Sequence, residues 1–424
     1  MTNTGLPARR AALGILSGVL RQRRPLDLQL ESLKELESRD AGFARALASQ
    51  TLRHMGVLDA VLRTFMQKPL QPHKAGQASE ILLLGACELL ILKVAPHAAV
   101  DAANQLAAKD NKAVHFKPLI NAVLRRLSRD GKRAMGGLDA PRLCTPDWLW
   151  TRWAAQYGEE TTRAIAKAHM QQAPIDIVLN SSGAPAPESD SLFGPVRRLS
   201  TDGRVEDLSG FVEGGWWVQD AAASLAVLLL GDVAGKKVID LCAAPGGKTM
   251  QLAARGAKAT AVEIDAGRAA RIRENLTRTK LDAEILEADA QDLDIKAPLV
   301  LIDAPCTATG TIRRHPDLPW IKGAADVTVQ ASAAYEILES GARLVEPGGT
   351  LVFAVCSLER EEGEEQIATF LANHPDFSRI PVAADDVFGH REWITPDGDL
   401  RTLPCHLADK GGMDGFYAAR LKRL

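Results

Sequence analysis

The chain has 424 residues, 46% hydrophobic and 25% charged, with a formal net charge of −2 and a mean hydropathy of −0.08. This is an ordinary soluble globular profile, long enough to bury more than one core; about 100–200 residues per domain gives two to four domains. The six cysteines, Cys87, Cys144, Cys242, Cys306, Cys356 and Cys405, form no C-x-x-C pair, and no H-E-x-x-H occurs. A zinc site and any other metal requirement are therefore not expected, and scattered single cysteines suit a reducing cytoplasm. The run AALGILSGVL follows Arg9 and Arg10 but continues into RQRRP without a small-residue cleavage site, so it does not read as a signal peptide. The longest apolar stretch, ILLLGACELLILKVA at 81–95, is too short to span a bilayer and contains Glu88.

The near-neutral charge hides an asymmetry. Residues 1–140 carry 21 Lys and Arg against 12 Asp and Glu, a net of +9, which leaves the remainder at −11. A basic N-terminal third on an acidic body suits a nucleic-acid-facing module, although solvated helix faces give the same count.

Residues 1–138 read as all-helical. Leu13, Leu16 and Leu20 recur at helical spacing, as do Leu58, Val61, Leu62 and Phe65. LKVAPHAAVDAANQLAA breaks at Pro–His and then resumes a helical pattern. HFKPLINAVLRRLSR at 115–129 alternates an apolar stripe with basic residues, and GKRAMGGLDAP at 131–141 reads as a linker. Residues 142–215 are mixed: PDWLWTRWAAQYG starts a tryptophan-rich helix, IDIVLN is a short strand pattern, and SSGAPAPESDS at 181–191 is a polar loop.

Residues 216–424 alternate strands and helices. The strands expected are KKVIDLCA (236–243), KATAVEID (258–265), AEILEAD (283–289), PLVLIDAP (298–305) and GTLVFAVCS (349–357). Helical patterns fall at 247–255, 267–279, 326–345 and 361–373. This rhythm predicts a doubly wound α/β domain with a mostly parallel sheet, ending in DGFYAARLKR as an edge strand.

In such sheets ligands sit beyond the carboxyl ends of the strands. The loop DLCAAPGGKT at 240–249 nearly matches a P-loop, but Cys242 stands where the first glycine belongs. G-x-G-x-x-G is missing too. Gly246 and Gly247 let backbone approach a ligand, and Glu263 and Asp265 close the second strand about 20 residues on, where a carboxylate suits a ribose diol. Asp289, which ends the third strand, is placed for an adenine amino group. An adenosine with a cationic, phosphate-free tail fits these residues best, which points to S-adenosylmethionine.

Cys306 in DAPCTATG and Cys356 in FAVCS follow adjacent strands and face the same crevice as the loop. A lone cysteine is usually a small core hydrophobe, the reading that suits Cys87, Cys144 and Cys405. Two at adjacent strand ends suit methylation of a pyrimidine at C5. A thiolate adding to C6 makes C5 nucleophilic, and an acid near N3 stabilises the developing charge. Asp303 is placed for that, if its carboxyl is protonated or acts through a neighbouring donor.

These residues resemble the Sun family of RNA cytosine-5 methyltransferases, and within it the ribosomal RNA small-subunit methyltransferase B group. CAAPGGKT (242–249), DAPC (303–306), IRRHPD (312–317), CS (356–357) and DGFYAARL (414–421) are family-like and in family order, across nearly the whole chain. The resemblance implies a NusB-like helical RNA-binding domain at 1–138, a small pre-methyltransferase α+β domain at 142–215, and a Rossmann-like class I methyltransferase domain at 216–424. It implies Cys356 as nucleophile and Cys306 as the partner in product release. It implies Cys242, Ala243, Ala244, Pro245, Gly246, Gly247, Lys248, Glu263, Asp289 and Asp303 as contacts to S-adenosylmethionine, with Asp265 able to share the ribose. Arg313, Arg314 and His315 are expected to touch RNA near the target base. The implied partner is small-subunit ribosomal RNA, bound by a monomer. The chain departs from the family pattern at Thr307 and Ala308 in CTATG, where CSGTG is commoner, at Val355, at Glu263, where Asp is usual, and at Gly363, where an Asn is common. Transfer RNA methylation, a non-catalytic assembly factor and a nicotinamide enzyme are the other readings. The presence of Cys356 and Asp303 argues against the second, and the missing dinucleotide fingerprint against the third.

Overall fold

The computed structural model describes residues 5–180, 183–200 and 203–424, the side chain of Pro72 aside. The start of the expected polar loop, residues 181 and 182, lies outside them. The chain divides into two compact units: Met1–Gln172 with Ile312–Gly323, and Ala173–Thr311 with Ala324–Leu424. Of the expected 142–215 module, the helices fall in the first unit and the strands in the second.

The first unit holds α1 (Leu6–Gln22), α2 (Leu26–Leu30), α3 (Ser38–Arg53), α4 (Met55–Thr64), α5 (Pro72–Ala75), α6 (Ala78–Leu90), α7 (Pro96–Ala107), α8 (Lys117–Gly136), α9 (Ala140–Leu143), α10 (Asp147–Tyr157) and α11 (Glu159–His169). The longest apolar stretch of the sequence supplies α6, which is buried along almost its whole length. A helix apolar all round belongs at the centre of a bundle. Its Glu88 is also buried, and Arg9 meets that charge with an Nη2–Oε2 distance of 2.6 Å. The linker expected at 131–141 is instead largely helical. The buried stripe Ile120, Val123, Leu124 and Leu127 of α8 continues to Gly131, so packing carries the helix past residues that punctuate in isolation.

The segment Ile312–Gly323 completes this unit. Trp320 Nε1 donates to the Leu52 carbonyl at 3.0 Å, the amide of Leu26 donates to Asp317 Oδ2 at 2.9 Å, and Ile321 enters the helical core.

The second unit begins with a small antiparallel sheet of β1 (Asp176–Leu179), β2 (Ser189–Phe193), β3 (Val196–Leu199) and β4 (Trp216–Val218), in the order β2-β3-β1-β4. Then come α12 (Ala221–Leu228), β5 (Lys237–Leu241), α13 (Gly247–Ala254), β6 (Lys258–Glu263), α14 (Ala266–Thr279), β7 (Glu284–Glu287) and β8 (Ala297–Asp303). After α15 (Leu318–Ile321), which belongs to the helical unit, follow α16 (Ala324–Leu344), β9 (Val345–Val355), α17 (Glu364–Asn373), β10 (Phe377–Arg379), β11 (Leu400–Thr402) and β12 (Phe416–Arg423).

The large sheet runs β10-β12-β9-β8-β5-β6-β7, with β11 also on β12. The five strands from β9 to β7 are parallel, and β12 is antiparallel to β9. Alternate residues serve opposite faces. Val238, Leu301 and Val352 pack with α12, α13 and α14 through Leu225, Met250 and Ile272, whereas Ile239, Val300 and Phe353 pack with α16 and α17 through Leu338 and Phe370. The sheet is therefore doubly wound and mostly parallel, as the rhythm predicts. The last strand is not an edge: β12 lies between β9 and β10, with Phe416, Tyr417, Ala418, Ala419 and Leu421 all buried. No helix among the described residues is long and apolar enough to cross a membrane.

Candidate active site

The loop after β5 is held from several sides. Cys242 turns the chain at φ 60° and Gly246 at φ 100°, the left-handed region that favours glycine. The Gly246 amide donates to the Ala243 carbonyl at 2.8 Å, and the Ala243 amide to the Val262 carbonyl at 3.1 Å. From α14, Asn275 Nδ2 donates to the Pro245 carbonyl at 2.9 Å and Arg268 Nη2 to the Ala244 carbonyl at 3.3 Å. Neither side chain was legible as a loop support in the sequence. Burial first, then the charges of Asp303, Glu263 and Asp240, push the Cys242 thiol up to about 12, so it is a neutral lining group.

The carboxylate that ends β6 and the one just after it are held differently. Glu263 is 2% exposed; its Oε2 accepts from the Ala244 amide at 3.3 Å and its Oε1 from the Asp265 amide at 3.1 Å. Asp265 is exposed and caps α14, its Oδ1 accepting from the Arg268 amide at 2.7 Å. Asp289 is half-buried, with Oδ1 accepting from the Gln291 amide at 2.9 Å. The loop amides, the Glu263 carboxylate in the loop wall and the carboxylate of Asp289 fit an adenosine better than a triphosphate, because this donor set brings acids rather than a wide anion cradle.

At the ends of β8 and β9 the two expected cysteines meet. The parallel register pairs Asp303 with Ala354. Cys306 and Cys356 follow these strands, with their sulfurs 3.5 Å apart. The hydrogen bond with Cys356, burial, and the nearby charges of Cys356 and Glu362 push the Cys306 thiol well above its ordinary value. Cys306 therefore holds its proton more tightly than a free thiol and can donate it to the neighbouring sulfur.

Asp303 faces Lys248 across the same strand ends, with Nζ 2.6 Å from Oδ2. Burial works against the Lys248 ammonium, but Asp303, by charge and hydrogen bond, and then Asp240 and Cys356 raise its pKa overall. The Lys248 ammonium is thus the donor beside Asp303. Below them, Asp240 accepts from Thr249 Oγ1 at 2.6 Å, and burial pushes its carboxyl up to about 7.

A second layer holds the cysteine loops. Glu362 accepts from the Thr307 amide at 2.7 Å and from Thr307 Oγ1 at 2.6 Å. The Leu358 amide donates to Thr309 Oγ1 at 3.0 Å, and the Gly310 amide to the Cys356 carbonyl at 3.0 Å. Arg401 Nη1 donates to the carbonyl of Ser357, the residue after Cys356, while its Nη2 pairs with Glu364 at 2.6 Å. A Cβ at Gly363 would come within 2.9 Å of the Tyr417 ring and 3.1 Å of Arg401 Nη2. The room for a larger side chain is taken by Arg401 and Tyr417, which is why a glycine stands there. The two threonines of CTATG were a sequence signal for part of this network. Arg401 had none, because it arrives from β11.

Of the expected RNA-contacting trio, Arg313 is placed differently from the other two. Arg313 is 1% exposed, and Arg53 Nη2 donates to its carbonyl at 2.8 Å. A buried guanidinium does not present itself to a phosphate. Arg314 and His315 are half-buried, with His315 Nδ1 3.3 Å from Asp27 Oδ2. No group of three or more metal-ligating side chains occurs among the described residues.

The arrangement agrees with what the chain is similar to. The family described as 16S rRNA methyltransferase RsmB/F matches residues 227–422, and the NusB family matches residues 6–129. Ribosomal RNA small subunit methyltransferase B of Pseudomonas putida is 35% identical, covering 100% of this chain and 99% of that one. The protein of the same description from Vibrio cholerae is 33% identical, covering 92% of this chain and 91% of that one. Among solved structures, PH0851 superposes with a TM-score of 0.75 at 23% identity over 98% of each chain. NSun6 from Pyrococcus horikoshii with SFG gives a TM-score of 0.55 at 16% identity, covering 66% of this chain and 98% of that one. At these identities the solved structures speak for the fold alone. The full-length similarity to the curated relatives decides the family: this chain belongs to the ribosomal RNA small subunit methyltransferase B family.

Proposed function

We propose that the protein transfers a methyl group from S-adenosylmethionine to C5 of a cytosine in small-subunit ribosomal RNA, through a covalent bond from Cys356 to C6. One observation carries this reading: two sulfurs 3.5 Å apart at neighbouring strand ends, beside the Lys248–Asp303 pair.

The Cys356 thiol gives its proton to solvent, and the thiolate adds to C6 of the cytosine while the C5–C6 double-bond electrons shift toward N3. The Lys248 ammonium, held by Asp303, supplies the proton-bearing group that stabilises this charge. S-adenosylmethionine, when bound by 242–248 and Glu263, supplies the electrophilic methyl for C5. A solvent base then takes the C5 proton. The C6–S bond breaks, its electrons return to Cys356, and the Cys306 S–H donates to that sulfur as it leaves. Glu362 and Arg401 keep the two cysteine loops in register. The target base must leave its stack to reach Cys356.

The test is transfer of radiolabel from S-adenosylmethionine to deproteinised, undermethylated small-subunit rRNA, followed by digestion to nucleosides. Label in 5-methylcytidine is expected. Label in another nucleoside contradicts the chemistry, and label in transfer RNA alone contradicts the substrate.

A further inference from the structure

Between α7 and α8 of the helical unit lies an open groove of about 420 Å³. Its apolar floor is the buried Val100, Pro96 lines it as an exposed residue, and the other lining residues are polar. Asn104 on α7 and Asn121 on α8 face each other, with Asn104 Nδ2 3.4 Å from Asn121 Oδ1. Arg125 and Arg129, one helical turn apart, are exposed along the rim. The Arg125 guanidinium is aimed rather than loose, since its Nε donates to Asn121 Oδ1 at 3.1 Å. Asp101 is the acid in the groove, and its Oδ2 accepts from Gln105 Nε2 at 2.7 Å.

The charge around the groove is mainly positive, with Asp101 its one lining acid against Arg125 and Arg129. Helix α8 carries six Lys and Arg residues and a single acid, Asp130. One oriented arginine, a second exposed arginine a turn away, an apolar floor and a pair of amides match the parts of one unstacked nucleotide. Phosphate suits the guanidinium forks, a base face suits the floor, and a base edge suits the amides.

We propose that the α7–α8 groove takes a single-stranded nucleotide of the RNA substrate, with its phosphate on Arg125 and Arg129 and its base over Val100 against Asn104 and Asn121. This deepens the functional reading above and rests on it for the identity of the RNA. The groove belongs wholly to the helical unit and is lined by none of the residues placed in the methyl transfer. Removing it weakens binding without touching the chemistry.

The experiment compares wild type, R125A/R129A, R125K/R129K and, as a control on another exposed helix face, Arg45→Ala. Methylation and fluorescence anisotropy are measured on deproteinised, undermethylated small-subunit rRNA across a salt series. R125A/R129A is expected to raise KM about tenfold with kcat within about twofold, and to lower the log–log salt slope by about 1.4, the loss of two contacts to a single strand. R125K/R129K should recover most of the salt slope, and Arg45→Ala should match wild type. An unchanged KM and slope in R125A/R129A overturns the proposal. So does a defect confined to protein-bearing ribosomal particles, which would make the groove a protein-docking surface. Wild type that fails to methylate this RNA removes the functional reading alone. The groove is then judged by the same variants binding transfer RNA, where an unchanged slope overturns it.

Discussion

The sulfur of Cys306 lies 3.5 Å from the sulfur of Cys356, and it is Cys306 whose proton is held more tightly than in a free thiol. Part of that shift comes from Cys356 itself, by hydrogen bond and charge. Cys356→Ala should therefore lower the Cys306 pKa and speed its alkylation at a given pH. The pH dependence of iodoacetamide labelling at Cys306, read by mass spectrometry, checks this. Identical profiles in wild type and variant would show that the two sulfurs are not coupled.

Asp240 ties stability to pH. Its carboxyl titrates at about 7 in the folded protein, against about 3.9 when unfolded. Between these values the folded state holds a proton that the unfolded state has lost, so stability falls as pH rises across that window and levels off above about 7. Asp240→Asn should flatten this slope, while its amide oxygen still accepts from Thr249. Urea unfolding at pH 5 and pH 8 makes the comparison. An unaltered slope in the variant would place the titration elsewhere.

Ala308 sits at φ 58°, where the resembling family commonly has glycine. A left-handed alanine costs about 1–2 kcal/mol, and the extra freedom of an unfolded glycine takes back about 0.5–1 kcal/mol. Ala308→Gly should stabilise the protein by about 0.5–1 kcal/mol. A lower urea midpoint for the variant would mean that the alanine methyl makes contacts worth more than the strain.

The split between Glu263 and Asp265 is also measurable. Glu263→Ala should weaken S-adenosylmethionine binding at least tenfold, about 1.4 kcal/mol or more. Asp265→Ala should leave that affinity within about threefold and instead cost roughly 1 kcal/mol of stability as a lost helix cap. Calorimetric titration paired with unfolding separates them. The opposite pattern would assign the ribose contact to Asp265.

The catalytic fold was legible because the strands from KVIDL to VFAV are short apolar runs, most of them separated by helical repeats, and because the chemistry sits at strand ends that sequence order locates. What stayed hidden is tertiary. Arg401 reaches Ser357 from β11, and Asn275 reaches Pro245 from the far side of α14; no local pattern marks either. The glycines of 131–141 suggested a linker, but α8 continues along a buried stripe through Gly131. The RRH run looked like an RNA-facing loop because its charge is visible in the sequence, whereas the burial of Arg313 depends on the segment joining the helical unit. The final strand was expected at an edge because it ends the chain, and chain order does not set sheet order once an antiparallel strand can insert.

The most direct measurement is a denaturing gel and intact-mass analysis of Cys306→Ser, Cys356→Ser and the double variant, each incubated with undermethylated small-subunit rRNA and S-adenosylmethionine. If Cys356 forms the bond to C6 and Cys306 assists its release, Cys306→Ser accumulates a protein–RNA adduct. The band is then absent from Cys356→Ser and from the double variant. An adduct that persists without Cys356, or methylation that survives Cys356→Ser, would contradict the assignment and move the nucleophile to Cys306.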